Sequence, residues 1–412
     1  MAENKLIKFD VGQLQKIAES IKITDKLLSI GHKSEIQEFF LQNPKFFKLL
    51  ISKNYILNEK ILLDYEHLWH WEYISENTNI TWADGLVEKF YNNWNWFGLS
   101  RNQALPWTEE LILKYNDNWD WDNLSQNNSL PWTYDLIQKF ENQWDWRRLG
   151  HNKSIQWTEE FIDKYHNSVG WYSLSSNESL PWTEEFIEKY SNHVNWNGLS
   201  SNTSLPWTED FIDKHRDKFD WGSLSSNSSL PWSVEFIEKY RDNWDWYCLG
   251  ENESLPWSVE FIEKYLNYWD WGSFIWNFSL PWSIEFIDKY DNKWNWDVLG
   301  RNEGLPWSED FIERYSNKWD WGFISINRAF PWSLDIIKKY ILDISLYENQ
   351  ILHNPRIWEI VFKPHVDDQM IEIIMDIINK MPYVPEDYHL TTELQDALED
   401  LKIAKKKLQD DI

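Results

Sequence analysis

The chain has 412 residues, 17% of them aromatic, and carries a formal net charge of −27. So large an aromatic content excludes a disordered polypeptide, because disordered chains lack the apolar surface that a core requires. The negative charge argues against direct binding to nucleic acid and against docking on an anionic membrane, since both require clustered lysine and arginine side chains.

The first 68 residues contain no tryptophan but keep the spacing of apolar residues that is typical of helices. Their last part resembles one degenerate unit of the repeat that follows, with Leu57 and Tyr65 at two of its apolar positions. The first unit of a repeat array leaves an apolar face uncovered unless a cap packs on it. We therefore expect residues 1–68 to form an N-terminal helical cap with a degenerate repeat.

Residues 69–340 repeat one 25-residue unit eleven times. Two tryptophans recur in every unit: a first row runs from Trp82 to Trp332 and a second row from Trp71 to Trp321, each in steps of 25 residues. A fixed period of this length predicts an array in which each unit buries its apolar face only against its neighbours. Because regular aromatic rows usually belong to a core, we expect both rows to be buried.

A third row of tryptophans runs from Trp69 to Trp319 in the same steps. Val169, Val194 and Phe219 interrupt this row. An interrupted row tolerates substitution, so we expect the third row to lie nearer the surface than the other two.

Each unit is predicted to contain one helix of about eleven residues, judged by its apolar spacing. In the unit that ends at Asn202, Thr183 is a good N-cap, and Ser or Thr holds this place in every unit except that of Ala83. The spacing of Glu185 and Lys189, an acid four residues before a base, recurs in ten units. It predicts an ion pair within each helix.

A second, much shorter helix is predicted to follow in each unit. The first helix is expected to end at Asn192, in the left-handed conformation that asparagine tolerates. The second helix then starts behind Asn195 as its N-cap. Each unit is thus a pair of helices too small to be stable alone.

One position holds asparagine in all eleven units. A functional interpretation is a row of amides that bind a ligand. The structural interpretation, which we favour, is an internal ladder in which each amide bonds backbone groups of the link between units. After Asn77, the members of this ladder are Asn102, Asn127, Asn152, Asn177, Asn202, Asn227, Asn252, Asn277, Asn302 and Asn327.

The unit around Asn277 departs from the pattern by carrying additional aromatic residues. Exposed aromatic side chains in an otherwise polar surface indicate a contact site for a partner, whereas the alternative is local repacking. The predicted partner-binding residues are Tyr268, Phe274, Trp276 and Phe278.

The repeat is lost in residues 341–412, where amphipathic helices are predicted over 366–380 and 391–410. A C-terminal cap is the simpler interpretation. The alternative is that these helices bind a partner or join copies of the chain into a homo-oligomer, because the second helix has an incomplete heptad-like stripe. That stripe consists of Leu394, Leu398, Leu401 and Leu408.

The short period, and the pairing of a helix with a very short one, resemble α-solenoids, the class that includes tetratricopeptide and HEAT arrays. In period the unit is most similar to leucine-rich-variant repeats. The resemblance lies in the architecture, since the Leu-Pro-Trp-[Ser/Thr] motif matches none of those consensus sequences. It implies an all-α rod or arc of helix pairs with helical caps at both ends.

The sequence has no recognisable motif for catalysis, for a cofactor or for a metal. The histidines do not recur with the repeat, there is no glycine-rich phosphate loop, and Cys248 lacks an identifiable base. We therefore expect a protein that is not an enzyme and that holds neither cofactor nor metal. A single cysteine and the lack of a long apolar run predict a cytoplasmic protein that does not cross a membrane.

These features favour a scaffold or adaptor for protein–protein interaction. Its acidic repeat surface would meet a protein partner with a basic surface. One alternative is an acidic nucleic-acid mimic that inhibits a DNA- or RNA-binding protein. Another is a binder of glycans or other small ligands that uses exposed tryptophans.

Overall fold

The computed structural model describes residues 33–340 and 348–380. These residues form helices and no strand, and short helices follow one another in pairs that pack in sequence order. The predicted architecture, an all-α solenoid of short repeats, is therefore confirmed. None of the described helices is long and apolar enough to cross a lipid bilayer.

By its contacts the chain divides into two units. Among the described residues, one comprises 33–48 and 365–380, and in it the helices Lys33–Gln42 and Asp368–Lys380 pack against each other. The other unit, Leu49–Pro364, contains the repeats. The boundaries expected at residues 68 and 340 stay predictions.

The first of the two predicted C-terminal helices is present as Asp368–Lys380. Its apolar face is buried and includes Met370, Ile371 and Ile374. The second predicted helix, 391–410, lies outside the described residues together with its leucine stripe.

The first helix of a unit spans six residues in most units, fewer than predicted. In the unit of Thr183, the backbone N–H groups of His193 and Val194 both bond the carbonyl of Tyr190, so a loose turn replaces the last helical turns. This turn places Val194 in the core. The first helices are Leu86–Lys89, Glu109–Lys114, Tyr134–Lys139, Glu159–Tyr165, Glu184–Lys189, Glu209–Lys214, Val234–Lys239, Val259–Lys264, Ile284–Lys289, Glu309–Arg314 and Leu334–Tyr340.

The left-handed conformation predicted for Asn192 is wrong, because Gly85 is the one residue with a positive φ in the described parts of the chain. The second helix of each unit starts at the second-row tryptophan, except for a 3₁₀-helix at residues 273–276. These helices are Trp71–Glu76, Trp96–Arg101, Trp121–Gln126, Trp146–His151, Trp171–Ser175, Trp196–Ser201, Trp221–Ser226, Trp246–Glu251, Ser273–Trp276, Trp296–Leu299 and Trp321–Ile324.

Further helices flank the array or lie between its elements. They are Pro44–Asn54, Glu59–Asp64, the 3₁₀-helices Glu66–Leu68, Asp291–Lys293 and Lys363–His365, Glu348–Leu352, Pro355–Ile357 and the π-helix Trp358–Phe362.

Serine and threonine N-caps determine where the first helices begin, as predicted. The Thr183 hydroxyl accepts a hydrogen bond of 3.1 Å from the backbone N–H of Phe186, and equivalent bonds recur in other units. Ala83 offers no such acceptor, and in its unit the helix starts only at Leu86, after Gly85 with a φ of 78°. The loss of the cap therefore shortens that helix to four residues.

The three tryptophan rows are buried in an order that differs from the prediction. The third row is deepest: Trp94 and Trp244 are each 5% exposed, and Val169, Val194 and Phe219 are buried as well. The first row is buried or half-buried, and the second row is half-buried throughout. The expectation that the third row lies nearer the surface is wrong. Its positions are enclosed in every unit, and a buried valine or phenylalanine fills the position where tryptophan is absent.

The second-row tryptophans join each unit to the next. The ring centroid of Trp221 lies 5.4 Å from that of Tyr240 and 4.9 Å from that of Trp244, and both belong to the following unit. Trp296 contacts Tyr315 and Trp319 in the same way. Aromatic contacts at these distances favour association beyond the burial of area, so this row holds neighbouring units together.

The two ends of the unit Leu49–Pro364 meet. The ring centroid of Tyr55 lies 6.4 Å from that of Trp358, and Tyr73 lies 6.5 Å from His353. The array of repeats is therefore not an open rod, since residues near its start contact residues beyond its last unit.

Candidate interaction surface

The recurring asparagines lie inside the array and connect neighbouring units. Asn202 is fully buried, and its Nδ2 donates to the carbonyls of Ser175 at 2.8 Å and Asn177 at 3.3 Å, both in the preceding unit. Its Oδ1 accepts from the backbone N–H of Ser204 at 2.8 Å. Equivalent bonds recur from Asn102 to the end of the row. Both amide hydrogens are thus engaged by backbone groups.

One of the four aromatic residues predicted to bind a partner belongs to the core. Phe274 is 0% exposed, and its ring packs against Trp257 and Trp269. It occupies the place that Leu249, also 0% exposed, has in the preceding unit. The expectation that Phe274 is exposed is therefore corrected: a larger side chain fills an enclosed position, and the second helix becomes 3₁₀ there.

The other three predicted residues are at the surface. Tyr268, Trp276 and Phe278 are 46%, 43% and 41% exposed. Tyr268 packs on Trp246 of the preceding unit with ring centroids 4.7 Å apart. The guanidinium of Arg301 lies 4.8 Å from the ring centroid of Trp276. Tyr268 and Trp276 thus contact different neighbouring units rather than each other.

In most units the lysine or arginine of the first helix forms an ion pair with the preceding unit rather than within its own helix. Lys214 Nζ lies 2.6 Å from a carboxylate oxygen of Glu184 and 3.3 Å from one of Glu188. Pairs of the same kind recur along the array. The ion pair predicted between Glu185 and Lys189 is therefore replaced, because a lysine that reaches back can lie between two carboxylates.

This arrangement leaves an exposed carboxylate at one recurring position of the first helix without an ion pair to any described lysine or arginine. It belongs to the second residue of the first helix, which is Asp or Glu in ten successive units. All ten are exposed, and no lysine or arginine of the described residues lies within ion-pair distance of any of them. We call them the acidic row: Glu110, Asp135, Glu160, Glu185, Asp210, Glu235, Glu260, Glu285, Asp310 and Asp335.

Carboxylates that bond the following unit keep their charge to lower pH than usual. A hydrogen bond from Tyr190 holds the pKa of Asp163 below its ordinary value, and Lys189 adds to this effect. Lys214 likewise lowers the pKa of Glu184. Asp163 and Glu184 are therefore charged at neutral pH.

Two histidines that do not recur with the repeat come together in the middle of the array. The ring centroids of His166 and His193 are 5.4 Å apart, and His193 stacks on Trp171 at 5.1 Å. With Asp163 and Tyr190 they line an open depression of about 340 Å³. The sequence gives no sign of this pair, because the two residues meet only through the packing of adjacent units.

Within residues 33–340 and 348–380, no three histidine, cysteine, aspartate or glutamate side chains are arranged to hold a metal ion. No protein-family model, curated protein or solved structure matches this chain. The features that bear on function are thus the acidic row and the exposed aromatic residues.

Proposed function

We propose that this protein is a non-enzymatic scaffold or adaptor that binds a protein partner with a basic surface through the acidic row. The observation that carries the proposal is that ten carboxylates in successive units form no ion pair with any lysine or arginine of the described residues, while the lysines beside them bond the preceding unit. A surface of one sign of charge steers a partner of the opposite sign and favours its binding.

The charge balance of the first helices supports this function. The positions equivalent to Glu184, Glu185, Glu188 and Lys189 hold 24 carboxylates and 12 lysines or arginines over the eleven units. Half of these carboxylates therefore have no lysine or arginine at these positions to balance their charge. Lysine and arginine side chains of a partner are the natural counter-charges for them.

The spacing of the acidic row argues against the nucleic-acid mimic. Packed helices lie about 8–10 Å apart, so the row offers roughly one carboxylate per such step. Duplex DNA carries one phosphate charge per about 1.7 Å of its axis. A row this sparse supports a protein partner rather than imitation of a nucleic acid.

The burial of the tryptophans argues against a glycan binder that stacks sugars on a row of indoles. Of the 32 tryptophans, all within the described residues, Trp276 alone is exposed. The remaining rings pack inside units or between them. As part of the proposal we assign the scaffold to the cytoplasm, because Cys248 has no second cysteine with which to form a disulfide.

The test compares two variants that have the same net charge. The first replaces five acids of the row by the corresponding amides: Glu160, Glu185, Asp210, Glu235 and Glu260. The control does the same to five exposed acids outside the row: Glu66, Asp84, Asp117, Asp217 and Asp242.

Both variants and the unmodified protein are used for affinity purification from the native host, with mass spectrometry, followed by titration of the captured proteins. We expect basic partners whose affinity falls about tenfold or more with the first variant and little with the control. Equal retention by all three proteins would refute the proposal. Displacement of the captured protein by duplex DNA would favour the nucleic-acid mimic instead.

A further inference from the structure

The second helices of successive units form a continuous surface. The closest backbone contacts between units of the array are made by these helices. Ser200 Oγ donates to the carbonyl of Trp196 at 2.7 Å and accepts from the backbone N–H of Asp220, at the start of the next second helix, at 3.0 Å. At Gly198 a side chain would meet the carbonyl of Tyr172 at 2.5 Å. Small residues and serine bonds thus allow this close packing.

The exposed side of each second helix consists mainly of the residues one and five places after the second-row tryptophan, which are neighbours at i and i+4. We call these 22 positions the second-helix face. All of them are exposed or half-buried.

The second-helix face changes from unit to unit, whereas the acidic row does not. In the first six units its first position is occupied by Glu72, Phe97, Asp122, Arg147, Tyr172 and Asn197. The acidic row carries Asp or Glu in ten units. A constant row can recognise only a property that its partner also repeats, such as charge. A row that varies can distinguish one partner sequence from another.

The chemistry of the second-helix face also differs from that of the first helices. It holds three arginines and five carboxylates, so its charges nearly balance. Its large aromatic residues, 43–52% exposed, are Phe97, Tyr172, Tyr247 and Trp276. The guanidinium of Arg101 lies 5.8 Å from the ring centroid of Phe97, and Arg301 covers Trp276 in a similar way. Exposed aromatic residues beside arginine are typical of the residues that dominate binding energy in protein interfaces.

We infer that the second-helix face is the specificity surface of the scaffold, and that it binds a polypeptide segment of non-repetitive sequence with apolar anchors and charges of both signs. This inference rests on the proposed scaffold function. The acidic row accelerates the encounter with a basic partner, because uniform charge acts at long range. The second-helix face then decides which sequence stays bound. Nucleic acids and simple glycans repeat one backbone group and would be matched by a constant row.

The experiment uses a random-peptide display library as the probe and the full chain as the target. The test variant replaces the four aromatic residues of the second-helix face by alanine. The control replaces four other exposed apolar residues, 39–59% exposed, by alanine: Ile56, Leu63, Leu113 and Tyr134. Thermal melts of both variants, followed by circular dichroism, establish that they fold.

We expect the library to yield peptides that contain apolar residues and charges of both signs. They should bind the test variant about tenfold or more weakly, and the control within about twofold of the unmodified protein. Peptides that are rich only in lysine and arginine, insensitive to the test variant but weakened by amides in the acidic row, would overturn the inference and leave the proposed function intact. Peptides insensitive to both sets of changes would overturn both.

A charge exchange keeps the inference testable if the alanine variant does not fold. The double variant D122R/R147E preserves net charge and alters two neighbouring units of the second-helix face. Selection against it should yield peptides with charges exchanged at two positions. Recovery of the same peptides as with the unmodified protein would overturn the inference.

Discussion

The indole N–H group explains how one chain accommodates so many tryptophans. In the first row, Trp207 Nε1 donates to the carbonyl of Asn202 at 2.9 Å. In the third row, Trp244 donates to the carbonyl of Ile237 at 3.0 Å. A buried donor without an acceptor costs about 1–3 kcal/mol, so each row requires an acceptor of its own. The repeated backbone supplies it at a constant separation in the chain.

Removing one asparagine of the ladder should loosen two units at once. N202A leaves the carbonyls of Ser175 and Asn177 and the N–H of Ser204 without their partners in the core. We expect a local loss of about 2–4 kcal/mol in opening free energy, measured by hydrogen exchange with mass spectrometry. The exposed Asn192 provides the control, and N192A should change exchange very little. Equal effects of the two substitutions would show that the ladder bonds contribute no stability.

Tryptophans of different burial should differ in their contribution to stability. Trp207 is 9% exposed, and W207A should cost about 3–5 kcal/mol in the surrounding units. Trp276 is 43% exposed, and W276A should lower the melting temperature only slightly. Thermal melts of the two variants provide the comparison. A large loss of stability in W276A would indicate that this ring supports the fold rather than a contact with a partner.

The sequence indicates which residues are structural more reliably than which partners they have. The asparagine ladder is recognisable in the sequence because asparagine recurs with the period of the repeat and always stands a few residues before the first-row tryptophan. The partner of Lys214 is not recognisable, because the rule for i and i+4 pairs describes an isolated helix. In the array, Glu184 and Glu188 of the preceding unit lie within reach of the same ammonium group.

In the two helices of a unit, the start of a helix is determined by neighbouring residues in the sequence, whereas its end is not. The N-caps follow from single residues such as Thr183, so the starts of the helices are predictable. The ends are not, because Tyr190 and Val194 continue the apolar spacing of a helix while the backbone between them forms a turn. Apolar spacing alone does not separate these two conformations.

Ion pairs and hydrogen bonds between the first helices of neighbouring units make the stability of the fold depend on pH in the acidic range. The pKa of Asp163 is lowered by Tyr190, and that of Asp213 by Lys239. A lowered pKa in the folded state means that the stabilisation is complete above the unfolded value of 3.8 and is lost as the pH falls through the folded value. We expect the melting temperature to fall below this pH. D163N/D213N should reduce the acid-induced fall, whereas N192A should leave it unchanged.

The contact between the ends of the array should protect them from opening. Y55A/W358A removes the first of two ring contacts, Tyr55–Trp358 and Tyr73–His353, between residues near the start and near the end of Leu49–Pro364. Because Trp358 is 5% exposed, we expect hydrogen exchange near residues 49–76 and 351–362 to accelerate by about tenfold or more, with little change near Asn202. Y172A, a change at an exposed ring of the second-helix face, provides the control. Unchanged exchange at both ends would show that this contact does not hold them together.

Linear repeat proteins gain and lose units easily, because each unit needs only its two neighbours. The meeting of Tyr55 with Trp358 imposes a different condition on this chain. An inserted or deleted unit of 25 residues would change the distance between the two ends of the array. The contacts of Tyr55 with Trp358 and of Tyr73 with His353 would then be lost. A change in the number of units is therefore expected to destabilise this chain, so new binding properties are expected to come from substitutions within the existing units.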